Sequence, residues 1–521
     1  MNETLMDKHK HALVSGLLCA ALVCLLPAAW AQSPKMKMTT PIPPQITTPD
    51  VVDSRLGTLR FSNGMPDAAT IDKVYDNLDF ARAVQTYLNT LRGVSMWAAM
   101  KGPRDIGVPD NTLLTMEQMM DSTGMYLTPN TVTATTWLNL DLTGGPLVFE
   151  VPPRVLGLVD DAWFRYVTDL GFVGPDKGKG GKYLFLPPGY KGEVPDGYFV
   201  VRSPTYKLWA PMRNFAVDGD VKPALDSLRE HARIYPFSEA GKAHGPVPNR
   251  NGSMVQINTI APNTYQYWEF LNDLVQSEPA GVIGPEITGQ MASIGIVKGK
   301  PFQPDARMKA ILTEAVAVGN ATARAIAFSP REEGIYFYGK AGSGWHTGFL
   351  GGYDFLVDGA RQLDSRVLFF YQATGITPAM AAKMVGAGSQ YAVAAKDSTG
   401  QWLDGGRTYK LTLPKDIPQK NFWSVTVYDS QTRSLLQTDQ RYPAIGAGTG
   451  YPAMQGGQQK VAFNADGSVD LYFGPRPPAG KEGNWIQTVP GKGWFAMLRL
   501  YSPLEPWFDK TWRPGDIEAI Q

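Results

Sequence analysis

The sequence has very little cysteine. Its 521 residues contain two cysteines, Cys19 and Cys24, and both lie within the first 31 residues. That segment has two lysines, an apolar run at 12–26 and a small-residue end at 29–31, which is the layout of a cleaved secretory signal. We therefore expect cleavage near Ala31 and a periplasmic or secreted protein without disulfides. Thiol catalysis is excluded in such a mature chain.

The sequence also lacks long apolar runs and an excess of one charge. The run at 12–26 is short for a membrane span, and no later run approaches that length. We therefore expect no stable membrane anchor. The 49 Lys and Arg residues balance the 48 Asp and Glu residues, for a net charge of +1. This balance argues against nucleic acid as a partner.

Histidine and the common catalytic motifs are scarce as well. Three histidines follow the signal, and neither H-x-x-x-H nor HExxH occurs, so their spacing predicts no metal site. The G-x-S-x-G pattern of many serine hydrolases is absent. No cofactor is predicted, and a metal held by carboxylates stays open, because such ligands leave little trace in spacing.

Two glycine-rich stretches invite ligand assignments that their spacing does not support. GPDKGKGG at 174–181 lacks the spacing and the final Ser or Thr of a nucleotide loop, and a loop at the mouth of a cleft is favoured. NADGSVD at 464–470 has alternating oxygen ligands but the wrong glycine position for a calcium loop. A hairpin turn fits it better.

Residue patterns divide the chain into helical and β-rich parts. A helix is predicted at about 70–92, capped by Thr70, and another in 262–330, capped by Asp305. We predict six segments in all: a signal peptide at 1–31, a flexible leader at 32–50, an N-terminal helical segment at 51–125, a first β-sandwich at 126–260, a helical central region at 261–400 and a second β-sandwich at 401–521.

One β-rich pattern occurs twice. Three pairs of segments match: Leu147–Asp169 with Tyr409–Asp429, 182–192 with 470–480, and 199–204 with 496–503. Repetition at this distance predicts two copies of one domain rather than a solenoid. The predicted fold is mainly β with helical segments (α+β), and the helices lie before and between the two β units.

Charged residues recur at strand ends in both copies. They are Asp169 and Arg202 in the first copy and Asp429, Arg433 and Arg499 in the second. Because an arginine that points into a sandwich needs a partner, we predict structural Asp–Arg pairs at these positions.

Two long stretches resemble known families. The run NFWSVTVYDSQTRSLLQTDQ at 421–440, with the residues that follow it, resembles domain-of-unknown-function family 1214. The stretch at 128–239, including GPDKGKGGKYLFLPPGYKGEVPDGY, resembles its usual N-terminal partner, family 1254. The resemblance implies an exported bacterial protein with two jelly-roll-like antiparallel β-sandwich units and helices before and between them. It implies no activity.

The chain departs from the family at the start of the first sandwich. Many relatives have an Asn-x-Asp-Thr-x-Tyr pattern there, and Asn130, Val132, Thr133 and Thr135 occupy those places in this chain. If the Asp and Tyr served a site in relatives, that site is altered at Val132 and Thr135.

The glycine-rich stretch KAGSGWHTGFLGGYD holds the candidate catalytic residues. His346 can act as a general base and Asp354 can orient it, if the fold brings them together. Trp345 and Tyr353, with Lys177 from the 174–181 loop, are candidates for substrate binding. The structural alternative is a loop histidine that only hydrogen-bonds to backbone.

Two functions remain open. The first is a hydrolase that acts on a small apolar or aromatic compound in a cleft between the β units, since domain interfaces commonly make clefts. The second is a non-catalytic module that binds a small-molecule ligand or assembles into a homo-oligomer.

Overall fold

The computed structural model describes residues 36–217, 220–339, 344–448 and 461–520. The predicted signal at 1–31 lies outside the described residues. The chain divides into two compact units, one up to Ile71 and one from Asp72 onward. Within the described ranges, no helix is long and apolar enough to cross a bilayer.

The described residues form helices and strands as follows. The α-helices are α1 (Ala68–Asp105), α2 (Lys222–His231), α3 (Gln266–Ser277), α4 (Pro285–Ser293), α5 (Ala306–Phe328), α6 (Leu363–Gln372), α7 (Pro378–Ala381) and α8 (Glu505–Phe508), and short 3-10 helices span Pro44–Ile46, Phe237–Glu239, Glu333–Ile335 and Glu482–Asn484. The strands are β1 (Val51–Ser54), β2 (Gly57–Ser62), β3 (Met65–Pro66), β4 (Leu113–Met116), β5 (Ala134–Asp141), β6 (Leu147–Val151), β7 (Val155–Asp161), β8 (Tyr166–Gly171), β9 (Gly181–Leu186), β10 (Phe199–Arg202), β11 (Lys207–Trp209), β12 (Met212–Asn214), β13 (Arg233–Pro236), β14 (Asn249–Asn251), β15 (Leu356–Val357), β16 (Ala360–Arg361), β17 (Ser389–Ala394), β18 (Thr408–Leu413), β19 (Gln419–Asp429), β20 (Ala444–Gly448), β21 (Val469–Gly474), β22 (Trp485–Gln487), β23 (Trp494–Pro503) and β24 (Ile517–Ile520).

The first compact unit is a small antiparallel sheet followed by the first turn of α1. Its strands have the order β1-β2-β3. Asp67, not the predicted Thr70, caps the helix, because its carboxylate accepts a hydrogen bond from the Thr70 N–H at 2.7 Å. Thr70 lies inside the first helical turn, and its hydroxyl accepts the N–H of Arg60.

The second compact unit contains two β units, each built from two sheets. In the first β unit, the smaller sheet has the order β10-β9-β6-β13. Its larger sheet contains β8, β7, β5, β4 and β14 in that order. The short strands β11 and β12 both lie between β7 and β5, and each pairs with both of them. In the second β unit, the sheets have the orders β22-β21-β18-β24 and β20-β19-β23-β17. The fold is therefore mixed α+β with mostly antiparallel sheets.

The two β units have the same strand topology, so the repeat seen in the sequence is present in the fold. In each smaller sheet one parallel pair, β10–β9 or β22–β21, is followed by two antiparallel pairs. In the larger sheets the shared pairs are antiparallel, and β7, β8, β12 and β5 correspond to β19, β20, β23 and β17. The first larger sheet adds β4 and β14, which pair with each other in parallel.

The strand pairing corrects the alignment of the repeat. The segment at 199–204 includes β10, which corresponds to β22, and not to the strand at 496–503 with which the sequence was matched. In the corrected alignment, Leu208–Arg213 is the counterpart of Trp494–Arg499. Leu208 pairs with Asp161 in the first β unit, as Trp494 pairs with Asp429 in the second. Asp429 is therefore equivalent to Asp161 rather than to Asp169, and Arg213 is equivalent to Arg499.

Side-chain alternation gives each larger sheet one face in a hydrophobic core and one outer face. In the first β unit, one set of alternating residues packs with the smaller sheet: Leu138, Leu140, Val155, Val159, Leu170, Leu208 and Met212. In the second, the equivalent set is Ala392, Ala394, Trp423, Val425, Val427, Ala496, Leu498 and Leu500. The remaining alternate residues point away from these cores.

The central helices form a separate core. Buried apolar residues of α1, α3 and α5 pack together in one cluster. Asp305 caps α5 as predicted, because its side chain accepts a hydrogen bond from the Met308 N–H at 2.7 Å. Helix α6 is enclosed by its neighbours, since its residues from Ser365 to Gln372 are all buried.

In the first β unit, the predicted Asp–Arg pair does not form. The Asp169 carboxylate instead accepts a hydrogen bond from the Thr377 hydroxyl at 2.6 Å. Arg202 is exposed, and its guanidinium donates to the carbonyl of Tyr190. The prediction was wrong because it rested on a misaligned repeat, in which Asp169 was matched with Asp429 and Arg202 with Arg499.

In the second β unit, Asp429 does pair with a cation, but the cation is Lys492, at 2.9 Å. Arg433 donates to the backbone carbonyl oxygens of Tyr371 and Gln431. Arg499 donates to a backbone carbonyl and to a hydroxyl group, and not to a carboxylate among the residues that the structure describes. The predicted pairs of these arginines are therefore wrong as well.

Candidate functional site

A cavity of about 720 Å³ lies between the outer faces of the two larger sheets. This volume is typical of sites that hold a small organic molecule. Phe172 lines the cavity and is 50% exposed, so the cavity meets solvent on that side. The cavity lies wholly within the second compact unit.

The first β unit forms one wall through the outer face of its larger sheet. The alternate residues that face the cavity are Thr135, Trp137, Leu156, Leu158, Asp169, Trp209 and Arg213. Arg213 pairs across the sheet with Thr135 on one side and with Leu156 on the other, so these three side chains form one row. Trp137 and Trp209 meet edge to face, with ring centroids 5.0 Å apart. This wall is aromatic and aliphatic except for the Thr135 hydroxyl, one cation and one carboxyl group.

The second β unit forms the opposite wall in the same way. The residues of its larger sheet that line the cavity are Ser389, Tyr391, Val393, Phe422, Met497, Arg499 and Tyr501. Arg499 stands in a row between Tyr391 and Ser424, and Tyr501 stands in the next row between Ser389 and Phe422. Helix α6 adds Leu368, Phe369 and Gln372 along one side.

Two arginines from equivalent positions of the repeat face this one cavity. The guanidinium carbon of Arg213 lies 5.9 Å from the ring centre of Tyr501. The guanidinium carbon of Arg499 lies 5.8 Å from the ring centre of Tyr391 and 5.5 Å from that of Tyr428. Both arginines are therefore set among tyrosine rings, where cation–π attraction favours them.

Both guanidinium groups stay charged in this setting. Burial lowers the pKa of Arg499, but the nearby tyrosines, first Tyr428 and then Tyr501 and Tyr391, raise it by more. For Arg213, burial lowers the pKa and Tyr391 and Tyr501 raise it, again with a net rise. Burial raises the pKa of Tyr501 to about 12, against the opposing effect of the two arginines.

Several polar atoms at the cavity lack a partner within the described part of the protein. The hydroxyl groups of Tyr501 and Tyr126 and the indole N–H of Trp209 are buried and make no hydrogen bond with the described residues. Buried polar groups are normally satisfied, so a cluster of unsatisfied groups around one cavity suggests that a ligand or water completes it.

One carboxyl group faces the cavity. Asp169 accepts hydrogen bonds from the hydroxyls of Thr377, at 2.6 Å, and of Tyr166, at 3.1 Å. Burial raises its pKa, and the two hydrogen bonds oppose that rise without cancelling it. Asp160, fully buried nearby, has a pKa well above the usual range because of burial, and its Oδ1 has no partner. This part of the wall therefore favours protonated carboxyl groups.

The structure does not bring His346 and Asp354 together. His346 is 2% exposed, and its backbone N–H and C=O both pair with Val393 at 2.9 Å. Its Nδ1 lies 3.2 Å from the carbonyl oxygen of Thr347, and its Nε2 has no partner. Asp354 is exposed, and among the described residues no hydrogen bond joins its carboxylate to the imidazole. The catalytic roles of these two residues stay predictions.

The three residues predicted to bind substrate lie in different places. Trp345 is fully buried in the core of the second β unit, and its indole N–H donates to the carbonyl of Gly515 at 2.8 Å. Tyr353 is 40% exposed, and its ring meets Tyr166 edge to face. Lys177 is exposed in a turn. None of them is among the described residues that line the cavity.

The positions where the chain departs from its family do line the cavity. Thr135 pairs directly with Arg213 across the sheet. Val132 packs with Phe422 and Tyr501 of the second β unit. These two positions therefore place an apolar side chain and a neutral hydroxyl group in the surroundings of the two arginines.

No group of three or more potential metal ligands occurs in the part of the chain that the structure describes. A carboxylate-bound metal was left open by the sequence. Asp169 is the one acidic residue among the described residues that line the cavity.

Comparison with protein families identifies the two β units. The family described as "Protein of unknown function (DUF1254)" matches residues 110–236, and the family described as "Protein of unknown function (DUF1214)" matches residues 388–505. The chain carries both domains, DUF1254 first and DUF1214 second. Each domain contributes one sheet wall of the cavity, and α6 belongs to the stretch between them. A search among curated proteins finds no match.

A solved structure has a similar fold. The crystal structure of the VPA0106 protein from Vibrio parahaemolyticus is similar with a TM-score of 0.50 and 20% identity, over 85% of this chain and 100% of that chain. A crystal structure of an uncharacterised protein from Burkholderia cenocepacia is more distant, with a TM-score of 0.36 and 10% identity, over 86% of this chain and 96% of that chain.

Proposed function

We propose that the protein binds a small apolar or aromatic compound in the cavity between its DUF1254 and DUF1214 domains. The observation that carries the proposal is the cavity itself: about 720 Å³, walled by aromatic and aliphatic side chains of both domains. Apolar walls with a few convergent polar groups are typical of sites for organic ligands.

A bulky substitution in the cavity wall tests the proposal. Leu158→Trp places a large ring in the cavity, and we expect it to weaken binding of the neutral probe 2-naphthamide by at least ~10-fold, because the ring occupies the ligand's space. Equilibrium dialysis against purified protein measures the affinity.

Leu356→Trp is the matched control, because Leu356 is 42% exposed and does not line the cavity. Equal affinity of the two variants for the probe, or no binding of any apolar probe to the unmodified protein, would refute this placement of the site.

Hydrolysis of such a compound is the second candidate function, and Asp169 is the observation that favours it. This carboxyl group faces the cavity, and burial raises its pKa. A carboxyl group that keeps its proton can donate it to a leaving oxygen as general acid.

The variant Asp169→Asn separates binding from hydrolysis. If the protein hydrolyses 1-naphthyl acetate, we expect this variant to lower kcat by about 100-fold with little change in the affinity for 2-naphthamide, because only proton donation is lost. His346→Ala and Asp354→Ala, made in parallel, test the site first predicted from the sequence. Loss of kcat in those two variants but not in Asp169→Asn would place the chemistry at the glycine-rich loop.

Export to the periplasm or the medium, with cleavage near Ala31, is part of the same proposal and is supported by the layout of residues 1–31. N-terminal sequencing of the protein purified from its own cells tests it. An N-terminus at Met1 would contradict it.

A further inference from the structure

We infer that the ligand carries a carboxylate group and that this group lies between Arg213 and Arg499. The inference rests on the proposed binding function and adds the chemical class of the ligand, an apolar or aromatic carboxylic acid in its ionised form. The two guanidiniums, the hydroxyls of Tyr391 and Tyr501 and the apolar walls are the features that define this class.

The two arginines approach the cavity from opposite walls. Arg213 comes from β12 of the DUF1254 domain, and Arg499 comes from the equivalent place in β23 of the DUF1214 domain. Both interact with the same two tyrosines, Tyr391 and Tyr501. They therefore converge on one region of the cavity, although they lie 286 positions apart in the numbering of the chain.

No carboxylate of the described residues lies within ion-pair distance of either arginine. Two like charges that share a poorly solvated region repel each other, and Arg499 lowers the pKa of Arg213. Arg499 is buried and Arg213 is half-buried, so an arrangement that places these two cations together without a counter-ion requires compensation. A bound anion supplies that compensation.

The hydrogen-bond inventory leaves donors free for such an anion. Arg499 is 3% exposed and donates to the carbonyl of Thr128 at 2.8 Å, to the hydroxyl of Thr426 at 3.3 Å and to the hydroxyl of Tyr428. A guanidinium has five N–H donors, so two remain. The hydroxyl of Tyr501, which is 5% exposed and has no partner, is a further donor in the same region.

A carboxylate fits these donors in shape. The planar guanidinium fork matches the two oxygens of a carboxylate, and the pairing is strong when both groups are shielded from water. The rest of the cavity is lined by Trp137, Trp209, Phe349, Leu158 and Met380, which suits the apolar body of such an acid. Asp169 is already bonded to Thr377 and Tyr166, so it does not serve as the counter-ion of the arginines.

The test compares two probes that differ only in charge, 2-naphthoate and 2-naphthamide. We expect the full-length protein to bind the naphthoate at least ~10-fold more tightly, since a carboxylate makes stronger hydrogen bonds with a guanidinium than a neutral amide does. We expect Arg499→Met and Arg213→Met to remove most of this preference while the affinity for the amide changes little. Arg202→Met is the matched control, because Arg202 is exposed and lies outside the cavity.

The outcomes distinguish a failure of the carboxylate inference from a failure of the proposed binding function. If both probes bind equally well and Leu158→Trp weakens both, the carboxylate inference is wrong and the cavity remains the binding site. If neither probe binds, the proposed function and the inference both fail. Retained binding of the amide shows that a variant is folded. If Arg499→Met does not fold, Arg213→Met tests the inference, because the Arg213 side chain is only half-buried and its replacement disturbs the fold less.

Discussion

Replacing Gly171 by alanine is expected to lower the free energy of unfolding by about 4 kcal/mol, which is at the upper end for one substitution. Gly171 ends β8 with a φ of +72°, in the left-handed region that disfavours side chains. A Cβ there would overlap the carbonyl oxygen of Val155 and lie 2.6 Å from its carbonyl carbon. Because β7 and β8 pair at this point, the clash separates the strands that carry Leu158 and Asp169 into the cavity wall. Chemical denaturation measures the loss.

Gly189→Ala is the control for the backbone conformation alone. Gly189 has nearly the same φ, +74°, but a Cβ there meets nothing within 4 Å. We expect it to cost about 1–2 kcal/mol, the price of the left-handed conformation. If the two variants lose the same stability, the close approach of β8 to β7 at Val155 does not exist in solution.

The protein is expected to lose about 3 kcal/mol of stability through His346 as the pH falls from 6.5 to 4. Burial lowers the pKa of this imidazole from 6.5 to about 4, and the contact with the Thr347 carbonyl opposes the shift only in part. Between these two values the unfolded chain binds a proton that the folded protein does not, so stability decreases as the pH falls. Below pH 4 both states are protonated and this contribution no longer changes.

His346→Asn isolates that effect, because the amide keeps a donor near the Thr347 carbonyl but does not titrate. Unfolding free energies of both proteins, measured from pH 7 to pH 4, should converge as the pH falls. Parallel curves over this range would show that His346 is protonated, or open to water, in the folded protein.

The fold was largely accessible from the sequence, but the register of the repeat was not. Alternating apolar residues and turn clusters predicted the β units, and an apolar stripe with Asp305 predicted α5. The match of 199–204 with 496–503 failed because short β strands share composition whatever their position in a sheet. Strand pairing shows instead that LWAPMR at 208–213 corresponds to WFAMLR at 494–499. That signal is present in the sequence, and it ends on both cavity arginines.

The candidate site was less accessible. The sequence predicted a catalytic site at His346, a single residue near glycines, because histidine is a frequent catalyst. The cavity is instead built from outer faces of two sheets whose residues are far apart in sequence, and no spacing rule joins Thr135 to Arg213 or Tyr391 to Arg499. Val132, Thr135 and Asp169, which the sequence singled out for other reasons, lie at this wall. Their meaning required the tertiary fold.

The crystal structure of the protein with 2-naphthoate tests the central claim most directly. The account predicts the naphthalene ring between Trp137 or Trp209 and the side chains of the opposite wall, with the carboxylate within hydrogen-bond distance of Arg213 and Arg499. A naphthoate bound elsewhere, or a cavity closed by its own side chains with the arginines paired to protein carboxylates, would contradict it.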